Sequence, residues 1–508
     1  MRARLLLVLL AVVLVAGVVV AVVLTRGDDS SRAMPEPAPA PASAAPLKSF
    51  YEQKISWSDC DGDRCGWVKV PVDYEKPDGE TLRLRVRWVD ATSDSSKVVF
   101  VNPGGPGGSA VDFAGQMATS FGDGVRKAYN VVGVDPRGVG LSDPVTCLDD
   151  KAMDAYVASD PTPDDPAEVK EFEDATRTLG EGCVKRSGEL ASHVSTEEAA
   201  RDMDVVRGVL GQKTFTWFGA SYGTQLGATY ATLFPQTVGR MVLDGAVDPD
   251  ESTIESALGQ ATGFQRAFDA YAASCATKDA CPVGSDPEQA TQKLSSLLEA
   301  IDRTPLRTGT SRVLTEGNAF YGIAVTLYSE ESWPILTQAL QAAVKGDGTV
   351  LLRLSDIYFD RDASGKYTSN QGQVISAVSC LDADDRPTFA EMEKQVPRFE
   401  KVSPLFGRAL ALGAGGCSLW PVEATNPQPT IDATGSAPIV VVGTTRDPAT
   451  PYENARRLAD ELKTGVLLSR DGDGHTAYLS GNACIQKSID MYLVDGTVPK
   501  DGTLCKAE

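Results

Sequence analysis

Three observations predict an α/β fold whose mainly parallel sheet is flanked by helices and interrupted by a largely helical insertion. Short continuous apolar runs alternate with helix-like segments up to about residue 250. That rhythm stops, then resumes after about residue 430. A Gly-Ala-Ser-Tyr-Gly pentapeptide, residues 219–223, lies between a strand-like and a helix-like run. With 508 residues, 42% hydrophobic and 23% charged, the chain can bury a large core and supports two or three structural units.

Residues 1–27 read as a signal peptide or signal anchor: Arg2 and Arg4 precede an unbroken apolar run at 5–24. Ala42-Ser43-Ala44 offers an A-x-A cleavage site, so release and anchoring through residues 5–24 both stay open. Either outcome exports the remainder, which is expected to be secreted or cell-envelope associated. Residues 28–48 form a linker whose alternating Pro and Ala favour an extended spacer over packing.

Residues 49–250 are expected to form the first part of the core. Segments 67–72 and 81–89 read as a hairpin around Pro77-Asp78-Gly79, and 97–101 and 131–134 as strands buried on both faces. Ser195 and Glu198 form a capping box ahead of a helix at 199–210, which Gly211 ends before a strand at 214–218. Met241-Val242-Leu243 is the next apolar stretch. Segments 253–276, 288–301, 316–328 and 332–344 then carry helical spacing without buried strands, so 251–430 reads as a helical cap, or lid. Strands at 438–442 and near 466–468 return the chain to the core, which 431–508 completes.

The ten cysteines follow the linker, and an even number in an exported chain points to disulfides. The shortest separations pair Cys60 with Cys65, Cys147 with Cys183, Cys275 with Cys281, Cys380 with Cys417, and Cys484 with Cys505. A metal site is not expected: there is no C-x-x-C and there are two histidines. The acidic run 59–63 faintly resembles a calcium loop, but Val70 stands where a bidentate Glu is needed, so it reads as a turn. A net charge of −21 argues against nucleic acid as a partner.

The pentapeptide makes Ser221 the candidate nucleophile, because glycines beside a serine at a tight strand-to-helix turn let its Oγ project above the sheet. A serine at neutral pH needs a base, and the base needs an orienting acid. In sheet-based hydrolases the chain order is Ser, acid, His, which selects His475 over His193; the latter reads as a surface loop residue. Asp447 follows a returning strand and is the first choice of acid, with Asp244 as rival; Asp471 and Asp473 read as shaping the turn before His475. Residues 102–109 follow the first buried strand and are rich in glycine, so the amides of Gly104 and Gly105, with that of Tyr222, are candidate oxyanion donors. That loop lacks both a Walker pattern and G-x-G-x-x-G order, and no cofactor is called for.

Taken together, Val101 with the glycine loop to Ser109, Asp135-Pro136-Arg137-Gly138-Val139-Gly140-Leu141-Ser142, the Ser221 elbow, the stretch 443–451 and Gly474-His475 resemble the exported tripeptidyl aminopeptidases. These are α/β-hydrolases related to prolyl iminopeptidases, and the resemblance runs from about Trp57 to the C-terminus. It implies a serine exopeptidase acting on peptides or proteins with free N-termini, usually releasing tripeptides, with Ser221, Asp447 and His475 as the triad. Asn102 stands where iminopeptidases carry His, which favours the tripeptidyl branch. Such an enzyme needs carboxylates for the substrate ammonium; Asp382, near Cys380, is the candidate, with Asp384 and Asp385 behind it. Two alternatives stand beside this reading: an extracellular esterase or lipase of the same fold, and a non-catalytic envelope binding module.

Overall fold

The computed structural model describes residues 34, 36–37, 46–278, 280–423 and 428–507. The apolar run at 5–24 and most of the linker lie outside the described residues, among which no helix is long and apolar enough to cross a membrane.

Strands β1 (Ser58–Cys60), β2 (Asp63–Pro71), β3 (Thr81–Val89), β4 (Val98–Asn102), β5 (Asn130–Val134), β6 (Phe215–Ala220), β7 (Val238–Asp244), β8 (Ile439–Arg446), β9 (Gly465–Asp473) and β10 (Thr503–Cys505) form one sheet. Its order is β1-β2-β3-β5-β4-β6-β7-β8-β9-β10. From β5 onward every neighbour is parallel, while β1, β2 and β3 join one another and β5 antiparallel. The sequence explains the division. β4 and β6 are buried at every position, as strands covered by helices on both faces must be, whereas β3 begins by alternating exposed and buried residues. The acidic run 59–63 is the β1–β2 hairpin, with positive φ at Asp61 and Gly62.

Helix α1 (Lys48–Tyr51) precedes the sheet, and α2 (Ala110–Ser120) and α3 (Asp123–Ala128) link β4 to β5. The β5–β6 connection carries α4 (Asp150–Val157), α5 (Pro166–Ser187) and α6 (Thr196–Val209); α7 (Tyr222–Leu233) follows β6 directly. Between β7 and β8 run α8 (Thr253–Ala276), α9 (Pro287–Arg303), α10 (Glu316–Leu327), α11 (Trp333–Val344), α12 (Thr349–Tyr358), α13 (Gln371–Asp382), α14 (Phe389–Val402) and α15 (Gly407–Ala414). Finally α16 (Tyr452–Glu461) and α17 (Ala483–Asp495) follow β8 and β9. The helices after β7 have a core of their own, in which Phe268, Ile301, Leu314, Leu336 and Leu351 are fully buried. Each such side chain contributes roughly 1.5–3 kcal/mol of burial, so this layer is a packed cap and not a loose excursion.

Two local expectations are corrected. The capping box at Ser195 is half formed: its hydroxyl accepts from the Glu198 amide, but the Glu198 carboxylate turns to the His193 ring (2.7 Å) and to the Ser195 hydroxyl. For the same reason His193 is not a surface residue. It is 4% exposed, beside the fully buried Arg137, which makes a bidentate pair with Asp202 at 2.8 Å and donates to the His193 carbonyl. The ten cysteines form five disulfides, 60–65, 147–183, 275–281, 380–417 and 484–505, joining nearest partners along the chain.

Candidate active site

β6 ends at Ala220 and α7 begins at Tyr222, so the chain reverses direction within one residue, Ser221. That residue sits at φ 54°, ψ −128°, a conformation L side chains rarely adopt. Its amide donates to the Asp244 carbonyl at 2.8 Å, which ties the turn to β7. Although Ser221 is the N-cap of α7, its side chain caps nothing, and the hydroxyl stands at the wall of a large cavity. The Tyr222 amide lies in the first turn of α7, where helical geometry supplies no acceptor.

The glycine loop after β4 presses against this turn. A Cβ on Gly104 would lie 2.6 Å from the Ala220 carbonyl oxygen, 2.8 Å from the Ser221 Cβ and 2.9 Å from the Tyr222 nitrogen. Only glycine fits there, and at φ +94° only glycine is unstrained. The Gly104 amide donates to the Asn102 side-chain oxygen at 2.9 Å, which leaves the Gly105 amide as the better candidate donor toward the cavity. Sequence could not separate these two amides, because the choice depends on where the Asn102 side chain turns.

His475 follows β9 and lines the same cavity as Ser221. Its Nδ1 is 2.9 Å from both oxygens of Asp447. A carboxylate can only accept, so Nδ1 carries the proton and Nε2 keeps its lone pair. Asp447, 2% exposed, also accepts from the amides of Ala449, Thr450 and Thr476, which fixes the carboxylate and with it the ring. Burial alone would lower the His475 pKa, but the Asp447 charge and hydrogen bond, aided by Asp244, raise it on balance. The rival acid, Asp244, does not bond the imidazole. Its oxygens accept from the amides of Ala477 and Tyr478 at 2.8 Å, holding the loop just beyond His475, while burial pushes its carboxyl up to about 6. Asp471 and Asp473 pair with Arg446.

The cap closes over these groups at two points. Tyr328, at the C-terminal end of α10, accepts from the His475 amide at 2.8 Å and sets its ring edge-on to the imidazole. Asp382, at the end of α13, accepts from the amide and hydroxyl of Thr196 and from Gln225. Between these contacts lies a cavity of about 1210 Å³. Phe264, Phe320, Tyr321, Tyr328, Tyr358 and Phe406 supply an aromatic wall on the cap side. Phe172 and Leu179 of α5 also line the cavity, with Phe172 edge-on to Phe389 of α14 (5.5 Å), a contribution from the β5–β6 connection, which the sequence pattern places simply in the core.

The charges in the lining are all of one sign. Asp248, Asp250, Glu251, Asp360, Asp382, Asp384 and Asp385 face the cavity, and among the described lining residues there is no lysine or arginine. Behind the lining, Arg457 pairs with Asp248 and Glu251. The Oε2 atom of Glu251 is buried and has no hydrogen-bond partner among the described residues. Burial and the neighbouring Asp248 and Asp384 raise the Asp250 carboxyl; burial, Asp248 and Asp250 push Glu461 up to about 7. Asp382, also raised by burial to about 7, is the most fully engaged of the acids expected at the substrate's amine. Nothing in the spacing of the sequence marks Asp248, Asp250 and Glu251 as lining this cavity.

Comparison with known proteins follows the same lines. The family described as TAP-like protein matches residues 403–505. The chain is 36% identical over 478 residues to serine protease Hip1 of Mycobacterium tuberculosis, covering 89% of this chain and 91% of that protein. A protein of that organism named carboxylesterase B is 38% identical over 451 residues, 87% of this chain and 86% of the other. The tripeptidyl aminopeptidase of Streptomyces lividans is 32% identical over 467 residues, with coverage of 89% and 86%. With identities this high across nearly the whole folded chain, and with a helical cap over a parallel sheet, the protein belongs to the TAP-like family of α/β-hydrolases that these relatives represent.

Proposed function

We propose that this protein is an extracytoplasmic serine exopeptidase that releases short peptides, tripeptides foremost, from free N-termini of peptides or proteins. The observation that carries the reading is the charge of the cavity: among the described residues, seven carboxylates and no lysine or arginine line the chamber that Ser221 and His475 also line. A peptide N-terminus brings an ammonium with a pKa of about 7.7–8.0, and seating it there offsets the burial, and the lesser repulsion from neighbouring acids, that raise Asp250 and Glu251. Glu251 and Asp250, each engaged by one donor group, Arg457 and the Ile431 amide, are better candidate acceptors for that ammonium than Asp382, whose oxygens already take three donors. Five disulfides support a location outside the cytoplasm.

In this reading His475 Nε2 takes the Ser221 proton as Oγ attacks the scissile carbonyl, and Asp447 stabilises the imidazolium without taking a proton itself. The tetrahedral oxyanion is met by the Tyr222 amide and the glycine loop, Gly105 in particular. His475 then returns the proton to the leaving amine, and water hydrolyses the acyl-enzyme by the same path. The cap limits how much chain precedes the scissile bond, which makes the enzyme release short N-terminal pieces.

The relative named carboxylesterase B favours a second reading, ester hydrolysis by the same groups. One assay separates the two: tripeptide anilides with free N-termini, their N-acetylated forms and a short acyl ester, with Ser221→Ala as control. The peptidase reading expects strong preference for the free amine, with KM rising about tenfold in Glu251→Gln on that substrate alone. Equal turnover of free and acetylated peptides removes the exopeptidase claim, and turnover of the ester alone selects the esterase.

A further inference from the structure

We propose that Asp382 is a positioning residue through which the cap orders the oxyanion side of the site. The inference rests on the reading of Ser221 as nucleophile and adds a role for a residue that the sequence placed at the substrate's amine. Asp382 belongs to the cap, ending α13 two residues after Cys380, which the Cys380–Cys417 disulfide pins. Its partners all belong to the core. Oδ1 accepts from the Thr196 amide at 2.8 Å, and Oδ2 accepts from the Thr196 hydroxyl at 2.6 Å and from Gln225 Nε2 at 3.2 Å.

Each partner has a reason to be there. Thr196 is the first residue of α6, so its amide has no acceptor within the helix, and a carboxylate beside it is favoured by the positive end of the helix dipole. The Thr196 hydroxyl has a single proton. With Asp382 ionised, that proton goes to the carboxylate, and the hydroxyl oxygen is left to accept from Tyr222 Oη, 2.5 Å away. The chain of donors therefore runs in one direction, from Tyr222 to Thr196 to Asp382. Tyr222 and Gln225 are both in the first turn of α7, the turn whose N-terminal amide faces the Ser221 oxyanion position. Tyr222 itself is 6% exposed and Thr196 is fully buried, so water does not replace these bonds when they are cut.

A carboxylate on the cap thus grips the turn that carries Tyr222, once through Gln225 and once through Thr196. The cap's seating and the orientation of the Tyr222 amide become one event. Since the oxyanion forms for any acyl substrate, loss of the grip lowers kcat whether or not the substrate has an amine. This separates the positioning role from amine binding, which acts through KM on free-amine substrates only.

The test compares wild type with Asp382→Asn, Thr196→Val, Tyr222→Phe and the Asp382→Asn/Tyr222→Phe pair. The substrates are a free-N-terminal tripeptide anilide and p-nitrophenyl butyrate, with labelling of Ser221 by a fluorophosphonate as a second readout. Each single variant is expected to lose about tenfold in kcat on both substrates, with little change in KM and a parallel fall in labelling rate. The double variant should be no worse than the poorer single one. Should Asp382→Asn fail to fold, Tyr222→Phe and Thr196→Val carry the comparison. A loss confined to the anilide and expressed in KM overturns the proposal in favour of amine binding, and labelling that keeps pace with wild type overturns it outright. Absence of labelling in the wild type is a different failure: it removes the assignment of Ser221, and this inference with it.

Discussion

Gly104→Ala is the substitution whose effect can be worked out most directly from distances. The new methyl would sit 2.8 Å from the Ser221 Cβ and 2.6–2.9 Å from backbone atoms of Ala220 and Tyr222. Carbon atoms rest about 3.5–4.0 Å apart, so loop and elbow must separate by about 1 Å, and none of the three obstructing atoms is a flexible side-chain end. The next amide along the loop is that of Gly105, and an oxyanion donor works over a window of about 2.7–3.1 Å. A shift of 1 Å exceeds that window, so the variant behaves as if one donor were deleted, with kcat down about 10²–10³-fold, or about 2.7–4 kcal/mol. Alanine at φ +94° adds about 1–2 kcal/mol of backbone strain, which such a large core can absorb. The assay is kcat and KM on a free-N-terminal tripeptide anilide, with circular dichroism to establish that the variant is folded. A folded Gly104→Ala enzyme with kcat within about fivefold of wild type would refute the placement of this loop in the oxyanion site.

Other expectations concern the acid, the base and the cap. Asp447→Asn should lower kcat by about 10⁴-fold, because the amide no longer enforces the tautomer with the proton on Nδ1, whereas Asp244→Asn should lose mainly thermal stability; melting curves beside kinetics separate the two. The base must be neutral to accept a proton, so the acid limb of the kcat/KM profile should fall at a pH above the ordinary histidine value of 6.5 and move down in Asp447→Asn. The sign for stability is opposite: with the folded pKa raised, the His475–Asp447 pair stabilises fully below the unfolded pKa and loses this contribution as pH rises through the folded one. Removing the Cys380–Cys417 bridge opens a loop with a separation of 37 residues. The chain-entropy estimate puts that loss at about 4 kcal/mol, which would appear in denaturant titration of the Cys380→Ser/Cys417→Ser protein.

The central sheet was legible because short, fully buried apolar runs mark the middles of its strands: 98–101 in β4, 131–134 in β5, 241–243 in β7 and 439–442 in β8. The long cap helix was read with the bounds it has, 253–276. α5 was missed because it buries only Leu179, Gly180 and Cys183, too few for an apolar rhythm; its Asp165 and Glu168 capping box and first-turn Pro166 were the signals that could have found it. Chain order singles out Ser221, His475 and Asp447 as candidates, and the structure places each just beyond the end of a parallel strand. The acidic seam was not: residues 248–251 and 382–385 are brought together by the folded cap, where Thr253 bonds Asp385, and no spacing in the chain foretells it. His193 was misplaced because its burial depends on Arg137 and Glu198, partners that a local reading of the loop does not include.

The single-signed chamber also bears on the end of the reaction. Hydrolysis of the acyl-enzyme creates a new C-terminal carboxylate beside Ser221, in a space lined by seven acids and, among its described residues, by no lysine or arginine. Once His475 has given up its proton, that anion meets no lysine or arginine among the described lining residues, while the ammonium of the same product stays among the acids. On the proposed reading, the acids that favour the ammonium oppose the new carboxylate, so the product is held less tightly than a substrate whose third residue is still an uncharged amide. Released tripeptides should compete poorly with fresh substrate, and the enzyme should keep its rate as product accumulates.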